Sequence, residues 1–256
     1  MKFSVITTAH IWHKDKMRQL TRCWNSLKNQ TYEDFEWVLV DDGSPDGISI
    51  SPVSVEERIR IYKLPHRERI IALNHALEKA KGDWIVFLDS DDEFLPHALE
   101  AMSQMIKNNP RSKMFNYESI HVRKNYSASV RGAFKPKRKR VGHEVFGGGN
   151  IVNGTFVFSR EIYDKLGAYP TEGRMWNPWD FSIKAQEEFP EIKPYFTADH
   201  PDHPEGYPRE LGNPWGNDFY LFYKYTRKYK SKPYDVPLII IHHEGKKEGE
   251  RHKIDS

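Results

Sequence analysis

The sequence predicts an α/β protein with a doubly wound, mostly parallel central sheet and helices on both of its faces. Three observations carry this reading. The apolar run at 84–88 ends in Asp89-Ser90-Asp91-Asp92, and a second run at 35–40 ends in Asp41-Asp42-Gly43-Ser44. Between them Ile70, Leu73, Ala76, Leu77 and Ala80 recur at helical spacing, with Gly82 closing the segment. Strands that are apolar throughout belong to a parallel sheet buried on both sides. Ligands of such sheets bind beyond the carboxyl ends of the strands, where both acidic clusters fall.

The elements follow in order. Residues 3–6 read as a first strand. Met17, Leu20, Trp24 and Leu27 then form one face of a helix ending near Asn29. The strand at 35–40, the helix at 69–80 and the strand at 84–88 come next, and the two acid-ended strands fit as neighbours in one parallel sheet. A helix is expected over 96–108, started by Pro96. A strand is expected over 113–120, and the glycines 147–149 read as a turn into another strand ending at Phe158. A short apolar strand at 238–243 ends in His242-His243, and the charged tail from Glu244 onward reads as disordered.

Composition bounds the function. A chain of 256 residues, 38% hydrophobic and 29% charged, can bury one substantial core. No run approaches the ~20 apolar residues of a membrane span. The first residues enter a strand directly, without a secretory apolar region, so a cytoplasmic enzyme is the simplest reading. Cys23, the single cysteine, excludes an internal disulfide and reads as a small core hydrophobe. A net charge of +3 argues against a protein built chiefly to coat nucleic acid.

Asp89, Asp91 and Asp92 put three carboxylates into four residues beyond a core strand. Hard cations such as Mn²⁺ and Mg²⁺ prefer such oxygen donors and keep positions open for substrate phosphates. The alternative is that this acidic turn caps the helix begun by Pro96, Asp92 above all.

Five segments together carry a resemblance: Ser4-Val5-Ile6-Thr7-Thr8, 26–32 (Ser-Leu-Lys-Asn-Gln-Thr-Tyr), 40–44, 72–76 (Ala-Leu-Asn-His-Ala) and 82–92. In order and spacing the chain resembles the family-two glycosyltransferases of the GT-A fold. The resemblance implies a nucleotide-sugar-binding half at 1–115, an acceptor-binding half of the same domain at 116–243 and a flexible tail at 244–256. It also implies a UDP-sugar donor, Mn²⁺ or Mg²⁺ on the diphosphate, and inversion at the anomeric carbon. Thr8 matches the position that contacts base and ribose, and Asp42 the one that accepts the uracil imide proton, leaving Asp41 to support the turn. Asp89 is expected near the ribose or metal, and Asp91 as the direct metal ligand. His242, or His243 beside it, is the candidate for a third ligand of metal or diphosphate. Where the family often carries an arginine before the asparagine of its third motif this chain has Leu73, so Arg67 or Arg69 would have to offer the cation.

The second half departs further. The family's Glu-Asp pair, whose aspartate is the general base, falls here on Asn177-Pro178. Proline cannot take the acceptor proton, and Asp180 is the nearest carboxylate, open also to a helix-start role. Trp176, Trp179 and Trp215 offer stacking surfaces for a sugar or base. Asp199, His200, Asp202 and His203 could ligate a metal, although a surface loop accounts for them as well. Residues 219–230 alternate aromatic and basic side chains, fitting either a membrane surface or a packed face. Residues 119–143 hold eight Lys or Arg and no acid, ending in a run that includes Lys137 and Arg138. Such a run is a solvated loop or a contact for an anionic partner: a phosphate-linked lipid, an acidic glycan or nucleic acid.

The leading expectation is a metal-dependent transferase moving a sugar from a UDP-sugar to a hydroxyl of a glycan or lipid-linked saccharide. Two alternatives stay open. One is an enzyme glycosylating a hydroxylated DNA base, suggested by the basic 123–140 segment. The other is a catalytically silent sugar-nucleotide or glycan-binding module, suggested by the missing Glu-Asp pair.

Overall fold

The computed structural model describes residues 1–48, 58–67, 69–133, 154–169, 217–226 and 228–244. Its elements are β1 (Phe3–Ala9), α1 (Lys14–Lys28), β2 (Phe35–Asp42), β3 (Ile59–Leu64), α2 (Arg69–Lys79), β4 (Trp84–Phe87), β5 (Glu93–Phe94) and α3 (Ala98–Lys107). There follow β6 (Met114–Arg123), β7 (Ala128–Arg131), β8 (Phe156–Ser159), α4 (Arg160–Leu166), α5 (Asn217–Thr226) and β9 (Ser231–His243).

The strands form one sheet in the order β3-β2-β1-β4-β8-β6-β9-β5, with β7 paired to the outer half of β6. From β3 to β4 all pairs are parallel. β8 then runs antiparallel to β4 and to β6, and β6 is parallel to β9. The two acid-ended strands, β2 and β4, are not neighbours. β1 lies between them, pairing β2 on one side and β4 on the other. The chain winds outward from β1 through β2 to β3, then returns by α2 to the far side of β1. That reversal is a topological switch point, and it opens a crevice at the carboxyl ends of β1 and β4.

Alternation along the strands explains the double cover. Val5, Trp37, Leu39 and Val86 face α1 and α3, where Leu20, Cys23, Trp24 and Met102 fill one core. Ile6, Val38, Val40, Ile85 and Phe87 face the other way, onto Leu73, Ala76, Leu77, Phe158 and Phe222. Successive strand residues point to opposite faces, so strands covered on both sides read as unbroken apolar runs. The Trp24 and Trp37 rings stack at 5.0 Å. Cys23 is fully buried, and burial pushes its thiol well above the ordinary range. In α5, Leu221, Phe222 and Tyr225 are buried, so the aromatic-basic stretch packs one face into the domain.

The acidic turn does not cap α3. His97 precedes that helix, and Gln30 Oε1 accepts the Leu99 N–H at 3.1 Å. Among the described residues no helix is long and apolar enough to cross a membrane.

The amino-terminal edge of the sheet is held by one buried carboxylate, Glu36. Its Oε1 accepts from Ser4 Oγ at 2.5 Å, Lys81 N at 2.5 Å and Gly82 N at 3.2 Å. Its Oε2 accepts from Arg60 Nη2 at 2.5 Å, and the same nitrogen reaches Lys79 O at 2.7 Å. One side chain thereby ties β1, β2, β3 and the α2–β4 turn. Gly82 is required here for room: a Cβ would stand 2.5 Å from Ser4 N and 2.6 Å from Phe3 C. Burial alone would raise the Glu36 pKa, but the hydrogen bonds and Arg60 outweigh it and hold the carboxyl below its usual range. Its contribution is therefore present above the unfolded-state pKa and is lost as pH falls through the lowered folded-state value. Glu36→Gln should cost about 3 kcal/mol at neutral pH. It should also flatten the acid limb of stability, as read by denaturant melts across pH.

Candidate active site

The site is built at the carboxyl edge of β1, β2 and β4. Thr8 lies near the end of β1, partly buried, opposite Val40 of β2. One residue past β1, the chain carries His10 to Asp42 at the end of β2: His10 Nδ1 is 2.8 Å from the Asp42 carbonyl. His66, beyond β3, places its Nδ1 2.9 Å from the same oxygen and 3.1 Å from Asp42 Oδ2. A carbonyl only accepts, so both rings carry hydrogen on Nδ1. The rings stack at 4.1 Å. Asp42 Oδ1 also accepts the Arg67 N–H at 3.1 Å. Asp41 serves the turn, taking Ser44 N at 2.8 Å and Ile48 N at 3.1 Å. Gly43, at φ 70°, presses against the His66 backbone, leaving no space for a side chain.

On the other side of β1, the acidic turn follows β4. Arg69, the first residue of α2, donates to Asp89 Oδ1 at 2.6 Å. Burial raises the pKa of the Asp91 carboxyl and the Asp89 charge raises it further, against Lys16 and Arg69. Asp92 is driven well above the ordinary range by burial, then by Asp89 and Asp91. Its Oδ1 accepts the His242 N–H at 3.0 Å. Like charges crowd this turn faster than the chain's own cations neutralise them. Hard oxygen donors in that state fit a divalent cation. Among the described residues no three His, Cys, Asp or Glu side chains converge on a common point. A cation here would draw its remaining ligands from substrate oxygens and water.

β9 brings the histidine pair to this turn, and the strand's alternation separates the two. The His242 imidazole takes up Glu93, Nε2 to Oε1 at 2.7 Å. His243 turns to the opposite face and meets His121, Nε2 to Nδ1 at 2.7 Å. The His121 pKa is lowered to about 4, chiefly by burial and then by Arg131, His243 and Arg123. Only His242 thus lies beside the acidic turn.

Several residues at this edge went unmarked in the sequence. Arg22 of α1 donates to the Asp91 carbonyl at 2.5 Å, pairs with Glu93 at 3.4 Å and binds Glu244. Gln19, one helical turn earlier, donates to Glu244 Oε2 at 2.6 Å. Asn74 exchanges two bonds with the Tyr169 backbone, at 2.9 and 3.0 Å, so the third motif of the resemblance anchors the Gly167-Ala168-Tyr169 segment. Leu73 is buried in the core and carries no contact to the site. The predicted Asp180, Trp176, Trp179, Trp215, Lys137 and Arg138, together with Asp199 to His203, lie outside the described residues.

A doubly wound sheet with polar groups gathered at its switch point defines an open α/β protein of the class that binds ligands beyond the carboxyl ends of its strands. Within that class the chain belongs to glycosyl transferase family 2, whose profile matches residues 11–167. A PGL/p-HBAD biosynthesis glycosyltransferase of Mycobacterium bovis (strain BCG / Pasteur 1173P2) is 28% identical over 173 residues, 64% of this chain and 63% of that protein. An uncharacterized glycosyltransferase of Haemophilus influenzae is 32% identical over 134 residues, 51% of this chain and 49% of that one. The chain thus spans less than two thirds of these relatives' length. Among solved structures, S. aureus TarS 1-349 in complex with UDP superposes with a TM-score of 0.56 at 18% identity, over 94% of this chain and 60% of that one. The same protein with UDP-GlcNAc gives 0.52 at 19% identity, over 75% and 66%. At that identity the likeness shows a shared GT-A fold.

Arg22 is the helix residue that braces the acidic turn from below. Arg22→Ala should cost about 1 kcal/mol, because it frees the Asp91 carbonyl and leaves Glu93 with His242 alone and Glu244 with Gln19 alone. Hydrogen exchange should then show faster opening of the 89–93 amides.

Proposed function

We propose that this chain is a metal-dependent glycosyltransferase that moves a sugar from a UDP-sugar to a hydroxyl acceptor, with inversion. One observation carries the reading: Asp42 on one side of β1, and Asp89 with Asp91 on the other, flank a single switch-point crevice in a family 2 chain. The structural neighbours solved with UDP and UDP-GlcNAc support the choice of donor.

In this reading the base end of the donor lies toward β2 and the diphosphate toward the acidic turn. Asp42 accepts the uracil imide proton once its carboxylate exchanges the His66 contact for the base. The hydroxyl of Thr8 is a further hydrogen-bonding group for base or ribose. Asp91, with Asp89, would hold Mn²⁺ or Mg²⁺, and His242 could join only by releasing Glu93. The ion, when bound, offsets charge growing on the departing diphosphate. Arg69 can turn from Asp89 to the diphosphate as a second cation. The acceptor oxygen attacks the anomeric carbon, the bond to the diphosphate oxygen breaks toward that oxygen, and the acceptor proton passes to a carboxylate, for which Asp180 is the candidate. Trp176 and Trp179 are candidates to hold the acceptor ring. The acceptor class on family grounds is a glycan or lipid-linked saccharide.

Two outcomes test this. Asp91→Ala should leave the melting temperature near that of the parent and abolish the Mn²⁺-dependent part of UDP affinity in calorimetry; an unchanged Mn²⁺ response would remove the metal site. UDP should bind more tightly than CDP or GDP, since cytosine lacks the imide donor and a purine is too large for the placement uracil would take against Asp42. Asp42→Asn should weaken UDP by about tenfold while sparing the metal response. Preference for GDP or CDP would contradict the base assignment.

A further inference from the structure

The β6–β7 hairpin breaks a local rule that nothing in its own packing explains. Its turn is closed by Tyr126 N to Arg123 O at 2.8 Å and Arg123 N to Ser127 O at 2.9 Å. Asn125 Oδ1 braces it, accepting Ser127 N at 3.1 Å and Ser127 Oγ at 2.7 Å. A turn of this kind ends in a left-handed residue, the place of Gly or Asn. Here it is Tyr126, at φ 61°, the only non-glycine with positive φ among the described residues. Its side chain does not gain burial in return, for the residue is 92% exposed. A bulky aromatic kept where glycine is favoured, and left in solvent, is a feature held for contact with something else.

The surroundings say what kind of contact. Val130 is 59% exposed and pairs with Ile120, and Ala128 pairs with Val122, so one face of the hairpin is apolar. Arg123 and Lys124 are exposed at the tip and Arg131 follows on β7. No acidic residue occurs between Ser119 and Ala133. The hairpin turn is exposed from Arg123 to Ala128 and carries a single aromatic ring, Tyr126. Single-stranded nucleic acid is held in grooves with successive stacking rings, whereas one exposed aromatic beside two cations at a turn matches a flat anionic interface.

We propose that this hairpin is a peripheral membrane anchor, seating Tyr126 and Val130 in the interfacial layer of an anionic bilayer while Arg123 and Lys124 at the tip meet lipid phosphates. The topology gives the contact a direction. β6 is antiparallel to β8, which is antiparallel to β4, so β6 and β4 run the same way. The hairpin therefore leaves the sheet at the edge that carries Asp42, Asp89 and Asp91. Seating it on a bilayer turns that edge toward the lipid. A lipid-linked acceptor follows from this orientation and rests on the transferase reading; the anchoring itself does not.

The test is flotation of the full chain, without donor or acceptor, on vesicles of phosphatidylcholine alone and of phosphatidylcholine mixed with phosphatidylglycerol. Binding to the mixed vesicles only, weakened by salt, is expected. Tyr126→Gly suits the turn, so it should keep or raise the melting temperature and yet lower vesicle partitioning about tenfold. Lys124→Glu should weaken binding to the mixed vesicles and leave the fold intact. Three results would overturn the proposal: no binding to anionic vesicles, Tyr126→Gly binding as the parent does, or Tyr126-dependent binding to a single-stranded oligonucleotide in place of vesicles. Each leaves the donor-binding predictions untouched.

Discussion

The Glu36 carboxylate is the constraint from which the rest of the donor half follows. It is a charge in the interior, and such a charge is tolerable only when its lone pairs are filled. Here Glu36 sits on β2 and its donors come from β1, β3 and the helix-to-strand turn before β4, so satisfying the charge also sets the relative heights of β1, β2, β3 and β4. A strand that slipped by one residue would exchange the side chains it presents to the two cores and would also take a donor from Glu36. With the amino-terminal edge levelled in this way, the carboxyl ends of the same strands open side by side. The crevice inherits its geometry from the opposite end of the sheet.

The two edges use the same chemistry with opposite balance. At the lower edge one carboxylate has several donors and its pKa is lowered. At the upper edge Asp91 and Asp92 share a buried turn with Asp89, and both are raised. The fold spends its cations unequally. Arg60 is committed to Glu36, whereas Arg69 holds Asp89 from a partly exposed position that a phosphate could take over. An edge that is electrostatically complete gives stability. An edge that is left incomplete is ready for a ligand that brings positive charge with it.

How much of this the sequence disclosed depended on whether a feature was local. The apolar strands and helix faces are periodic along the chain, so β1, β2, β4, α1, α2 and α3 were legible, and the acidic turns stood out because their carboxylates cluster. β3 was missed because it is an edge strand whose Ile61 remains exposed, which blurs its alternation. β9 was foreseen only in part: Pro233 and Pro237 mask its first half, and β6 accommodates them through a register shift near Glu118. The placement of β1 between the acidic strands was not legible, because pairing order is a property of the sheet and neighbouring strands are only usually consecutive. Glu36 was read as one letter in an apolar run, and Arg22 was not singled out at all. Both gain their roles from residues far away in the chain.

Arg22 also shows how the two halves of the domain become one site. Its guanidinium joins the Asp91 carbonyl to Glu93 and to Glu244, the residue just beyond β9. Asp92 takes a backbone N–H from His242 on the same strand, and His242 returns to Glu93. The acidic turn is therefore clamped between α1 and β9, and Asp92 keeps its bond to His242 only while β9 is docked. β9 in turn is registered on β6, the strand that runs out into the Tyr126 hairpin. A displacement of that hairpin thus has a continuous, hydrogen-bonded route through β6 and β9 to the residues beside Asp91. Such continuity is a route for coupling, and coupling itself requires two arrangements of β9 that differ in how they hold the turn.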